Sequence, residues 1–189
     1  EGMGLEPGEH LLVAEDAATY VAEVRAGINT RNLAVSHDGR YVIVANYLPH
    51  TLTILDARDL SPIKVIKVEG DGGKTSRVSA VYTADPRNSF VAALKDIPEI
   101  WEISYADDPP PGFAGWEHSY KQETGDVIQH DPFPVRRIWL ESFLDDFLMD
   151  QDYLQVIGTS RDGQGQVVDL DVGKPLHQLD ISGMPHLSS

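Results

Sequence analysis

The chain has 189 residues, 41% of them hydrophobic, enough to fill the core of a soluble unit. Its formal net charge of -15 repels phosphate backbones and anionic lipid, so nucleic acid and membrane surfaces are not expected partners. Cysteine is absent, which excludes disulfides, thiolate metal sites and covalent c-type haem attachment within these residues. No apolar run approaches the roughly 20 residues of a membrane helix.

Internal repetition decides the architecture. The stretch Asn32 to Asn46 alternates apolar residues on either side of Asp38-Gly39, a hairpin signal. A third strand is expected at Thr51–Asp56 and a fourth at Ile63–Val68, with a turn through Arg58 and Ser61 between them. Four short strands joined by tight turns are the content of one propeller blade. The pattern returns at Val78–Thr83, Ser89–Leu94 and Glu99–Tyr105. It returns again at Asp145–Met149, Tyr153–Thr159, Gln166–Asp171 and Leu176–Ile181. Tyr41, Phe90 and Tyr153 are read as the aromatic that opens each second strand.

Two segments interrupt the repeat. Ala106 to Pro134 is proline-rich and is read as an insertion, either an excursion ending near a ligand site or a plain surface loop. Trp139, Leu140, Phe143, Leu144, Phe147 and Leu148 recur at helical spacing. Strand–turn–strand is preferred there, because Asp150-Gln151-Asp152 fills the turn slot of the repeat. The fold class expected is all-β: a fragment of a β-propeller with four-stranded antiparallel blades. Residues 1–189 would supply about three blades and parts of two more, with both ends truncated.

Several stretches carry a family resemblance. Gly27 to Ser36, Ala45-Asn46-Tyr47-Leu48-Pro49-His50, Asp56 to Val65, Ser76 to Val81, Ile97 to Ile100 and Gly183-Met184-Pro185-His186 match it in order and spacing. Together they resemble the haem d1 propeller of the cytochrome cd1 family, which implies an eight-bladed β-propeller. That family holds the nitrite reductases and two relatives in haem d1 assembly, a dihydro-haem d1 dehydrogenase type and a NirF type. Leu94-Lys95-Asp96 and Leu187-Ser188-Ser189 depart from the nitrite reductases, which favours the dehydrogenase type.

The resemblance implies an oxidoreductase of denitrification, either nitrite reductase-like or dihydro-haem d1 dehydrogenase-like, in the periplasm. It implies haem d1 or its precursor as ligand, iron chemistry, and electron transfer through a c-type haem upstream of this chain or through a separate protein, for which the acidic surface suits a basic partner. A non-catalytic haem d1 carrier and a generic interaction scaffold stay open. The axial and distal histidines of the family map onto no residue here, so this chain would supply wall and carboxylate contacts.

Haem d1 carries several carboxylates, and arginine grips a carboxylate with a planar, permanently charged fork. Arg31 and Arg77 are the first candidates, placed at matching starts of two inner strands. Tyr47 could stack on the macrocycle or donate its hydroxyl, Asn46 could donate to a ring carbonyl, and Lys95 adds a cation. His186 follows Pro185 at the start of a further inner strand. Each has a plainer alternative as a packing, turn or solvated residue. Asp145 and Asp146 are neighbours on a strand and point to opposite faces, so they form no catalytic dyad. No metal ligand set is expected.

Overall fold

The computed structural model describes residues 11–13, 22–110, 112–113, 131–160 and 163–180. A short antiparallel pair, β1 (Leu11–Val13) and β2 (Ala22–Val24), precedes three four-stranded antiparallel sheets. The first sheet orders β3 (Asn29–Val35), β4 (Tyr41–Leu48), β5 (Thr51–Asp56) and β6 (Pro62–Lys67). The second orders β7 (Val78–Ala84), β8 (Ser89–Leu94), β9 (Glu99–Ser104) and β10 (Val135–Trp139). The third orders β11 (Asp146–Met149), β12 (Gln155–Thr159), β13 (Gln164–Asp169) and β14 (Lys174–Asp180). Each sheet is a meander of neighbouring strands, and we call them blades A, B and C.

Local chemistry explains the hairpins. In blade A, Asp38 Oδ1 accepts from Ser36 Oγ and from Arg40 N, while Gly39 takes the positive φ of 70° that the turn demands. In blade B, Asp85–Arg87 makes one 3-10 turn that ends on Asn88 in the left-handed region. In blade C, Asp150 Oδ1 accepts from Gln155 N. The helical spacing at 139–154 is thus overridden, and strand, turn and strand are what form. The fourth strand of blade B, Val135–Trp139, has no counterpart in the sequence reading, because the insertion hides it.

Blades stack face to face. Ile43, Leu52, Ile54, Phe90, Leu94 and Ile103 fill the space between A and B. Val91, Ile100, Leu144, Phe147, Val156 and Val168 fill the space between B and C. Accordingly β8 and β9 are buried at every position, whereas blades A and C each present an exposed apolar row, Leu33, Val35 and Val65 on one, Leu148 and Leu176 on the other. Burial on both faces of the central sheet is what stacked blades require, and in blade A the outer face is covered in part as well, where Val42, Val44 and Leu55 pack with Ala26 and Leu60.

First strands lie beside one another. Asn32 Nδ2 donates to Val81 O at 2.8 Å and Asn32 Oδ1 accepts from Val81 N at 3.1 Å, tying β3 to β7. Ser79 Oγ donates to Leu144 O at 2.7 Å and Tyr82 OH donates to Asp146 Oδ1 at 2.8 Å, tying β7 to β11. These crosslinks make the innermost edge continuous across three blades.

The pairing register corrects the repeat. Ser36 closes on Tyr41 in blade A, Ala84 on Ser89 in blade B and Asp150 on Gln155 in blade C. Tyr41, Ser89 and Gln155 are therefore equivalent, and Tyr41, Phe90 and Tyr153 are not. The insertion joins β9 to β10 within blade B, and its described ends sit beside Tyr41 and Tyr105, at the end of the blade away from Tyr47 and Lys95. The expectation that it ends near the ligand site therefore fails for those ends.

Candidate functional site

The starts of the first strands and the loops between second and third strands meet at one end of the blades, here called the mouth. Both β3 and β7 carry a bulge there. Arg31 is the extra residue in one and Ser79 in the other. A bulge releases one residue from the ladder and re-aims its side chain, so this position is where the fold can turn a group toward the axis. Arg31 and Ser79 are equivalent, and Arg77 is equivalent to Asn29. The two arginines are thus not at matching places, as the sequence reading had them, but two positions out of step. Arg31 reaches across to the neighbouring blade, donating from Nε to Ser79 O at 3.2 Å.

Tyr47, Arg77 and Lys95 form one cluster. Tyr47, near the end of β4, and Lys95, directly after β8, are equivalent positions of blades A and B. The Arg77 guanidinium lies 5.6 Å from the Tyr47 ring centre, and the Lys95 ammonium 5.8 Å from the same ring. Each cation is held by a carboxylate. Asp96 accepts from Arg77 Nε at 2.8 Å, from Nη2 at 2.5 Å and from the Arg77 backbone N at 3.0 Å. That grip draws the Asp96 carboxyl from its ordinary 3.8 down to about 2. Lys95 pairs with Asp145 across blades B and C, both side chains only 12% exposed. Sequence reasoning missed Asp96 and Asp145 as partners. The available signal was a charged residue directly after Lys95 and another directly before β11.

The remaining candidates separate from this cluster. Asn46 is fully buried, and its Nδ2 donates to Ala26 O, Thr51 Oγ1 and Thr53 Oγ1. It fastens the segment after β2 beneath the mouth and offers no face to a ligand, which corrects its assignment as a cofactor contact. Asn46 Oδ1 has no donor among the described residues. It sits 2.2 Å from where a Cβ on Gly27 would lie, so only glycine fits there. His186 lies outside the described residues. His50 is tied by Nδ1 to Thr75 Oγ1 at 2.8 Å. Among the described residues no group of three or more His, Cys, Asp or Glu is arranged to hold a metal.

Below the mouth, a pocket of about 360 Å³ opens between β7 and β11, lined by Tyr82, Thr83, Asp146, Phe147, Met149 and Tyr153. Burial and the hydrogen bond to Asp146 push the Tyr82 hydroxyl up to about 12, so it stays protonated. What the mouth can do chemically is bind anions on an aromatic floor. Arg31, Arg77 and Lys95 are three cations on adjacent blades, Tyr47 is a ring between two of them, and no described ion pair engages Arg31. A flat, carboxylate-bearing macrocycle fits such a donor set. The iron of such a ring finds no ligand cluster among the described residues.

The chain is 48% identical over 170 residues to the dihydro-heme d1 dehydrogenase of Pseudomonas aeruginosa, a match covering 89% of this chain and 30% of the relative. It is 29% identical to Protein NirF of the same organism, over 85% of this chain and 39% of the relative. A solved structure of dihydro-heme d1 dehydrogenase NirN in complex with DHE superposes with a TM-score of 0.72 at 47% identity, over 88% of this chain and 31% of that one. The β-propeller domain of Cps50 (Swd1) from Myceliophteria thermophila, at 14% identity, 94% and 53% coverage and a TM-score of 0.60, shares the fold alone. The chain thus spans about a third of the length of its dehydrogenase relative. Residues 11–189 match the Cytochrome D1 heme domain, and the chain belongs to that family.

Proposed function

We propose that these residues are consecutive blades of an eight-bladed haem d1-binding propeller, acting as a dihydro-haem d1 dehydrogenase of the periplasm. The observation that carries this reading is the mouth, where Arg77 and Lys95 flank Tyr47 beside Arg31. The identity to the dehydrogenase supports it. When bound, the macrocycle supplies the redox chemistry, and an electron-transfer protein or an upstream c-type haem takes the electrons. This chain's own residues bind and orient it. Arg31 and Arg77 grip carboxylates at the ring edge, Lys95 adds a third positive charge, and the Tyr47 ring supports the macrocycle face. Placing those charges in a partly desolvated mouth fixes the rotation of a nearly symmetric ring, so that one side chain of the ring is presented to the reacting groups.

The test is spectroscopic. The complete gene product is titrated with dihydro-haem d1 and the visible spectrum followed. A saturable shift is expected, and Arg31→Ala should weaken it roughly tenfold or more. Slow oxidation of the bound ligand, on adding an electron acceptor, identifies the dehydrogenase. Binding without oxidation leaves the carrier role, and no spectral change at all leaves only a scaffold.

A further inference from the structure

The two mouth cations are already neutralised, and by carboxylates of the protein. Asp96 engages the Arg77 fork with two side-chain bonds, the geometry a ligand carboxylate would use. Asp145 reaches Lys95 from the neighbouring blade. Both aspartates belong to the mouth itself, one in the loop after β8 and one directly before β11. A ligand carboxylate cannot take the same guanidinium edge while Asp96 holds it.

Resting on the haem d1 reading, we propose that Asp96 and Asp145 are stand-in counter-ions, which a ring must displace with its own carboxylates to reach Arg77 and Lys95. Without ligand they hold Arg77 and Lys95 in place around Tyr47, which spares a partly buried cation from standing alone. On binding, ligand carboxylates replace them. A ring whose carboxylates reach neither cation leaves both pairs intact. Asp96 stays ionised far below neutrality, so the competition operates throughout the physiological range. The exchange transfers no proton or electron. Asp145 and Asp96 are positioning residues: they act through Lys95 and Arg77.

The experiment uses the complete gene product and two probes, haem d1 and protohaem, each followed by the visible spectrum. Asp145→Asn should tighten haem d1 roughly tenfold, since a ring carboxylate no longer has to displace that of Asp145. The sharper readout is the pair. Asp96→Asn with Asp145→Asn should tighten haem d1 more than either substitution alone, and its affinity relative to protohaem should not fall. Adding Lys95→Ala to Asp145→Asn should abolish the gain from that substitution. The ligand-free Asp145→Asn protein should also melt earlier and recover more on adding haem d1. Unchanged or weaker binding in a variant that melts normally overturns the exchange while leaving the haem d1 reading intact. No spectral response from the unsubstituted protein overturns both.

Discussion

Blade B uses arginine and carboxylate at both of its ends, with opposite consequences. At the mouth, Arg77 and Asp96 are half-open to solvent and touch a ring that is itself half-buried. At the far end, Glu102 is 1% exposed and accepts from Arg87 Nε at 2.8 Å, Arg136 Nη2 at 2.5 Å and Ser89 Oγ at 2.8 Å. Arg87 then continues to Asp171 of blade C at 2.5 Å. The group around Glu102 is a clamp and the Arg77–Asp96 pair an exchangeable contact, and between these two the difference is burial. A desolvated carboxylate between two cations has no competitor, since water and ligand are both excluded. A solvated pair gains little from its Coulomb attraction and yields to a better partner.

The comparison breaks first at Glu102. Replacing it with Ala leaves Arg136 without its carboxylate, Arg87 with Asp171 alone and the Ser89 hydroxyl without its acceptor. We expect a loss of about 3–5 kcal/mol in urea unfolding, with ligand affinity at the mouth unchanged in whatever fraction stays folded. A loss under about 0.5 kcal/mol, the size of an ordinary surface change, would show that the clamp is ornamental and that burial is not what separates the two ends.

A middle-sized effect lies beneath the mouth. Gly27→Ala drives a Cβ into Asn46 Oδ1, and Asn46 cannot swing away because its Nδ2 serves three acceptors. Overpacking of this kind costs about 1–3 kcal/mol. If thermal unfolding shows that cost while Tyr47 keeps its fluorescence response to ligand, Asn46 supports the mouth without taking part in binding. Equal stability with weakened ligand binding would instead return Asn46 to the site.

The blades were legible because their signal is local. Asp38-Gly39 fixes one hairpin, Asp150 another, and alternation does the rest. Register was less legible, since the bulges at Arg31 and Ser79 leave no mark in an apolar pattern. Counting back from the turns that close at Ser36–Tyr41 and Ala84–Ser89 sets Arg77 against Asn29, a step that two arginines in similar settings conceal. The site divided along the same line. Tyr47 and Lys95 could be found as charged or aromatic residues at or just past the end of a second strand. Their counter-ions could not, because the Lys95–Asp145 pair joins two blades across the insertion. Asn46 misled for a physical reason: a polar residue at a strand end looks like a ligand donor unless one knows that Gly27 closes over it.

The smallest effect separates the two ends by pH. Asp96 has a folded value of about 2 against an ordinary 3.8, so the folded state favours its ionised form. The stability this contributes is fully present above about 3.8 and is lost as pH falls through about 2. Asp96→Asn removes the titrating group. The stability difference between the two proteins should therefore be constant at neutral pH, shrink as pH falls below 3.8, and flatten below about 2. Because the pair is solvated, the difference at neutrality should be under about 1 kcal/mol, well below the Glu102 effect. A difference that matched the Glu102 variant would mean that Arg77 is clamped as tightly as Arg87, and a clamped arginine could not be handed over to a ligand.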